Sequence, residues 1–124
     1  MAGELVLVVD DNPLNVKLLR FVLEARGYRV SEAPSAERAR GVLEEERPSL
    51  ILMDVHLPGT DGLTLTRELR GDPRFAHTPI VAISASAMTP DRVAARDAGC
   101  DDFVAKPIDT RTFGALLDRF IRAA

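Results

Sequence analysis

Residues 5–13 read LVLVVDDNP: five apolar residues in a row, two aspartates, then an asparagine and a proline. The apolar run Leu5–Val9 has strand length, and it shows no alternation of polar and apolar positions. Such a run belongs to a strand covered on both faces, the situation of a parallel sheet between layers of helices. Asn12-Pro13 supplies the next signal, a capping side chain followed by a proline in the first helical turn. The helix it opens is expected to run to about Arg26, where Gly27 stops it.

Working outward, the same alternation recurs. Short β-rich runs fall at Tyr28–Ser31, Leu50–Met53, Ile80–Ile83 and Phe103–Val104, with helical patterns between them. One helix is expected from about Ser35 to Glu46, with Ala36, Ala39, Val42 and Leu43 as its apolar face. Another starts near Gly62 and carries Leu63, Thr66 and Leu69. Thr89-Pro90 repeats the start signal, and Gly99 ends the helix it opens. The last helix takes Asp109 or Thr110 as its cap and lines up Phe113, Leu116, Leu117, Phe120 and Ile121 on one stripe. Five strands alternating with five helices give an α/β fold with a parallel sheet, read as one domain over residues 1–124.

Composition narrows the function classes. A chain of 124 residues buries roughly two-thirds of its unfolded surface, enough to fold without staples. A net charge of −3 argues against a nucleic-acid surface, which carries a basic patch. No apolar stretch approaches the roughly 18 residues needed to cross a bilayer. Leu5–Val9 is too short and too acidic in its flanks to be a signal peptide, so the expected location is the cytoplasm. The single Cys100 is expected as a buried reduced thiol. His77 reads as a loop residue, and the Glu44–Glu46 run with Arg92 and Arg96 as solvated helix faces.

In an open doubly wound sheet, ligands bind at the carboxyl ends of the strands. The first strand ends in Asp10-Asp11, the third in Asp54, the fourth in Ser84, and Lys106-Pro107 follows the fifth. Adjacent aspartates after a strand also occur as plain helix caps, and none of these residues says much alone. Their joint arrival on one rim, from segments almost a hundred residues apart, is what separates a site from general surface polarity. Crowded carboxylates repel and ionise together comfortably only around a positive charge. A few hard oxygen ligands suit magnesium, which keeps several waters and accepts one or two carboxylates plus a phosphate oxygen. A carboxylate can also be the nucleophile that forms an aspartyl phosphate, with metal, hydroxyl and ammonium neutralising the phosphoryl oxygens.

At this point the segments VVDDNPLN (8–15), LILMDVHLPGTDG (50–62), TPIVAISA (78–85) and GCDDFVAKPI (99–108) resemble the receiver domains of two-component signalling. The resemblance implies the flavodoxin-like receiver fold, a five-stranded parallel sheet in order 2-1-3-4-5 with five helices. It implies that Asp54 accepts a phosphoryl group from a histidine kinase or a histidine phosphotransfer protein. Asp11 and Asp54 would be side-chain ligands of magnesium, Asp10 would act largely through water, and the His56 backbone carbonyl would complete the protein ligands. Ser84 would contact the phosphoryl group and Lys106 would form its salt bridge. By the same resemblance the Lys106–Pro107 bond is cis. Phe103 is either a switch aromatic that turns inward when Ser84 moves, remodelling the face of the fourth helix, fifth strand and fifth helix, or a plain core aromatic.

Asn12 and Asn15 make the DDNPLN segment similar to receivers of hybrid kinases and of single-domain cell-cycle regulators, although a plain structural reading is adequate for both, Asn12 as the helix cap and Asn15 in its first turn. Two positions depart from the commonest family pattern. Serine stands at 84 in place of the more frequent threonine, keeping the hydroxyl and losing a methyl. His56 is less usual at its place, where its side chain either tunes the lifetime of the acyl phosphate or is a solvated loop group contributing only its carbonyl.

Three rivals are weaker. A phosphatase of the haloacid dehalogenase type needs D-x-D after its first strand, and here the acids are adjacent. A flavodoxin-like nucleotide binder needs a Gly/Ser/Thr-rich phosphate loop, where two aspartates would repel the anion. A phosphate-independent scaffold is disfavoured because every acceptor and metal position is filled. The expected protein is a signalling switch, not an enzyme for an external substrate, that acts on a downstream protein partner, with a phosphorylation-dependent dimer among the expected assemblies. The alternative is a receiver excised from a larger hybrid kinase or regulator.

Overall fold

The computed structural model of the chain describes residues 3–85 and 88–121. Elements alternate strictly: β1 (Leu5–Val9), α1 (Pro13–Ala25), β2 (Arg29–Ala33), α2 (Ala36–Glu45), β3 (Leu50–Asp54), α3 (Gly62–Arg70), β4 (Ile80–Ser84), α4 (Thr89–Ala98), β5 (Asp102–Ala105) and α5 (Thr110–Ile121). The strands form one parallel sheet in the order β2-β1-β3-β4-β5. The chain therefore lays β2 on one side of β1 and β3 on the other, so the helices leaving β1 and β3 part to opposite faces and open a crevice between them.

Side chains alternate across each strand, and the two faces are covered by different helices. Leu7, Val9, Ile51, Met53, Ile80 and Ala82 face one core with Ala39 and Leu43 of α2, Leu65 and Leu69 of α3 and Ala95 of α4. Val6, Val8, Leu50, Leu52, Val81 and Ile83 face the other, against Leu19 and Leu23 of α1 and Phe113, Leu117 and Ile121 of α5. All five residues of β1, β3 and β4 are buried, as their unbroken apolar runs require, while the edge strands β2 and β5 stay partly open.

Local signals set the helix ends. Asn12 accepts from the Leu14 N–H at 3.0 Å to open α1, Ser35 from Arg38 to open α2, and Asp61 from Thr64 to open α3. Gly99 ends α4 at φ +112°, a conformation only glycine adopts without strain.

Several sequence expectations need correction. β2 begins at Arg29, because the Tyr28 N–H closes the end of α1 on the Leu23 carbonyl instead of joining the sheet, and pairing with β1 starts at Leu5↔Arg29. Thr89 lies inside α4, whose cap is Met88 without a side-chain bond. On α3 the fully buried leucine is Leu65; Leu63 is only partly buried, since the inward stripe runs through Gly62, Leu65, Thr66 and Leu69. Arg92 is not simply solvated, as its guanidinium covers the Phe103 ring at 4.9 Å, and Glu46 lies past the end of α2 and accepts from the Ser31 hydroxyl. Cys100 is a buried free thiol whose pKa is raised by that burial, and His77 is an exposed turn residue. Among the described residues no helix is long and apolar enough to cross a membrane.

Candidate functional site

The carboxyl ends of the central strands carry the acidic groups. β1 runs out into Asp10, whose N–H continues the ladder onto the Ala33 carbonyl, and β3 ends on Asp54 itself, followed by Val55 bonded to the Ile83 carbonyl. Because β1 and β3 are neighbours in the sheet, Asp10 and Asp54 flank the crevice where the helices diverge. Carboxylate oxygens of Asp10, Asp11 and Asp54 all lie within 4.8 Å of one another. Asp10 and Asp54 are each 3% exposed, whereas Asp11 is open to solvent.

The ammonium arrives from the edge of the sheet. β5 pairs with β4 as far as Ser84↔Ala105, and the Lys106 N–H then bonds the Ser84 carbonyl at 2.8 Å. That bond, next to a cis Lys106–Pro107 peptide, holds the base of the lysine side chain on the rim. Lys106 Nζ stands 3.4 Å from Asp54 Oδ2 and 3.6 Å from Asp10 Oδ2. Ser84, at the end of β4, is buried on the same rim.

Asp54 is electrostatically uneasy. Burial raises its pKa above the ordinary carboxyl value and the Asp10 charge adds to this, while the His56 N–H at 3.0 Å and Lys106 oppose it. A cation placed among the three acids would remove this conflict. The donors are hard oxygens, two on rigid strand ends and one exposed, which fits a small divalent ion that keeps water in its shell.

Not every expected site residue enters the cluster in the same way. His56 meets it through its backbone N–H on Asp54 Oδ1, and the residue itself is exposed. Phe103 lies partly buried against the α2–α4 side of the core with Arg92 over its ring, beside a shallow cleft of about 360 Å³ between α4 and β5.

A family model described as the response regulator receiver domain matches residues 6–118. The chain belongs to the receiver family. As a receiver it is 40% identical over 108 residues to the polar-differentiation response regulator DivK of Brucella anthropi, covering 87% of this chain and 88% of that protein. It superposes with a TM-score of 0.89, at 36% identity and 98% and 99% coverage, on the receiver domain of a sensor histidine kinase from Pseudomonas aeruginosa, a structure with a magnesium ion coordinated in the active-site cleft. A putative response regulator from Chloroflexus aurantiacus matches with a TM-score of 0.93 at 30% identity, covering 97% of this chain and 98% of that one. The α/β fold with a parallel sheet was legible in the residues, and the strand order followed from the resemblance to receivers.

Two supporting residues of this receiver were not. Gly62 opens α3 against the end of β3, where a Cβ would meet the Asp54 carbonyl oxygen at 2.1 Å and Met53 Cγ at 2.9 Å. Asn15 donates from Nδ2 to Asp10 Oδ2 at 2.5 Å, beyond the role in the first helical turn that the sequence implied. The available signal was position, since a side chain at the third residue of a helix reaches back toward the segment before it.

Proposed function

We propose that this receiver is a phosphorylation-dependent signalling switch in which Asp54 is the acceptor and magnesium the cofactor. The observation that carries the reading is the shared position of Lys106 Nζ, 3.4 Å from Asp54 and 3.6 Å from Asp10, within an acid cluster that no other described ammonium approaches. An oxygen of Asp54 attacks the phosphorus of a phosphohistidine in line; the new P–O bond forms as the P–N bond breaks, and the imidazole nitrogen keeps the electron pair and takes a proton. Magnesium, held by Asp11, Asp54 and the His56 carbonyl with Asp10 through water, would supply positive charge for the phosphoryl oxygens. Lys106 serves the same charge as a point donor, and the Ser84 hydroxyl meets a phosphoryl oxygen. Hydrolysis of the acyl phosphate by water returns the carboxylate and inorganic phosphate, so the protein acts on itself and turns over no external substrate.

The donor is a histidine kinase or a histidine phosphotransfer protein. Leu14 and Phe21 on α1 are 78% and 73% exposed and, with the half-buried Leu18, make an apolar stripe starting beside the acid cluster. Such a stripe fits a helical donor domain that must exclude water from the transfer. Output to a downstream protein runs through α4, β5 and α5, where Phe103 sits under Arg92, three residues before the Lys106 N–H that bonds Ser84.

Intact mass after incubation with acetyl phosphate, with and without magnesium, tests the acceptor for wild type and Asp54→Asn. A phosphoryl adduct that requires both magnesium and Asp54 is expected. No adduct under any condition, together with no magnesium binding, would replace this reading by that of a phosphate-independent scaffold.

A further inference from the structure

Asp10 is almost fully buried, yet the rim gives it no ligand role as direct as that of Asp54, and its two oxygens are held very differently from those of its neighbours. Oδ1 accepts from the Asn12 N–H at 2.9 Å, and Oδ2 accepts from Asn15 Nδ2 at 2.5 Å with Lys106 Nζ a further contact at 3.6 Å. A carboxylate rotates freely about its last bond unless both ends are held. Here one end is held by backbone at the entrance of α1 and the other by a side chain from the first turn of the same helix.

The Asn15 amide does nothing for the helix itself. The Leu14 N–H is already capped by Asn12 Oδ1, and the Val16 N–H bonds the Asn12 carbonyl. Among the described residues its hydrogen bond runs to Asp10 alone. An amide also donates without bringing charge, so it orients an acidic group without competing with a cation as a second lysine would.

We infer that Asn15 is a positioning residue for the cation site, holding the Asp10 carboxylate in the orientation from which it engages the hydrated magnesium ion. This rests on the reading that the acid cluster takes magnesium. Partners that orient metal ligands in this way typically contribute 10- to 100-fold to metal affinity. Asn15 itself touches neither the phosphoryl group nor the acceptor, so its removal leaves the transfer chemistry in place once the ion is bound.

The test compares wild type with Asn15→Leu, which keeps the size and removes the donor, and Asn15→Ala, which removes the donor without an apolar replacement. Magnesium affinity is measured by titration calorimetry on the metal-free protein. Labelling by acetyl phosphate is then followed as a function of magnesium concentration, and melting is recorded in EDTA to establish that each variant is folded. Both variants are expected to bind magnesium about 10-fold more weakly. The magnesium concentration for half-maximal labelling should rise by the same factor, and the rate at saturating magnesium should recover to wild type. A residue that only supported the helix would lower melting or the saturated rate and leave the half-saturating concentration unmoved. The inference is overturned if folded variants bind magnesium within twofold of wild type, or if the saturated rate fails to recover. Should wild type itself bind no magnesium, it is the proposed function that fails, and the two failures are distinguishable in the first titration.

Discussion

Replacing Asp54 by asparagine should make the metal-free protein more stable, although it removes the residue that the site is built around. Asp54 Oδ1 accepts from the His56 N–H, and an amide oxygen can keep that bond while its NH2 faces the Asp10 carboxylate. Two charges at the 4.8 Å outer limit of this cluster repel by about 3.5 kcal/mol at an effective dielectric of about 20, and closer ones by more. Lys106 at 3.4 Å returns about 5 kcal/mol by the same arithmetic, reduced because its side chain is 22% exposed and is shared with Asp10. Attraction and repulsion nearly cancel, and desolvation of a carboxylate that is 3% exposed decides the sign. That agrees with the upward shift of the Asp54 pKa, for which burial is the leading cause.

The expected gain for Asp54→Asn is about 1–3 kcal/mol at neutral pH in EDTA, the scale on which imperfectly paired buried polar groups cost stability. Because the folded pKa is raised, the wild-type acid is harmless below its unfolded pKa and destabilises as pH rises through the folded value. The difference between the two proteins should therefore shrink as pH falls and vanish below about 3.9. Magnesium should reverse the order, since a hundredfold excess over its dissociation constant adds about 2.7 kcal/mol to a protein that binds it. Urea unfolding of both proteins in EDTA and in magnesium, at several pH values, measures all three effects. A less stable Asp54→Asn in EDTA at neutral pH would refute the reasoning, as would a stability gap independent of pH.

Other perturbations probe the frame around the site. Gly62→Ala forces a Cβ against the Asp54 carbonyl, so we expect a loss of about 1–3 kcal/mol by denaturation and a slower labelling of Asp54 in the same variant. Arg70 donates to the carbonyls of Phe75, Thr78 and Gly99 and pairs with Asp101, which in turn accepts from the Ile80 N–H. Arg70→Met, which keeps the stem and removes these donors, should cost about 2–3 kcal/mol by urea unfolding while leaving magnesium affinity unchanged. His56→Ala should change the rate at which the phosphorylated protein loses its phosphoryl group, measured by phosphate release after removal of the donor. An unchanged rate would leave His56 with only its backbone contacts.

Much of this was written locally. Leu5–Val9, Leu50–Met53 and Ile80–Ile83 read as buried parallel strands because each run is apolar throughout, and the caps at Asn12 and Ser35 and the glycine stop at Gly99 act within a few residues. Elements on the sheet edges were less legible. Tyr28 looks like strand by composition, yet its N–H is taken by the end of α1, and only pairing with β1 decides where β2 begins. On α3, with few apolar residues, which leucine turns inward depended on the sheet that the helix packs against.

For the site, the sequence by itself determined which chemistry is present: acids at the ends of β1 and β3, a hydroxyl at the end of β4 and an ammonium just past β5, each at a strand end where that fold binds ligands. Only the tertiary structure decided how they act on one another. Lys106 bridging Asp10 and Asp54, the burial that raises the Asp54 pKa, the glycine demanded at 62 and the Asn15 amide on Asp10 all depend on distances of a few ångströms. The physical reason is range: caps and periodicity are written between neighbours along the chain, whereas desolvation, Coulomb energy and hydrogen bonding at a convergent rim depend on separations in space that exist only once the strands are paired.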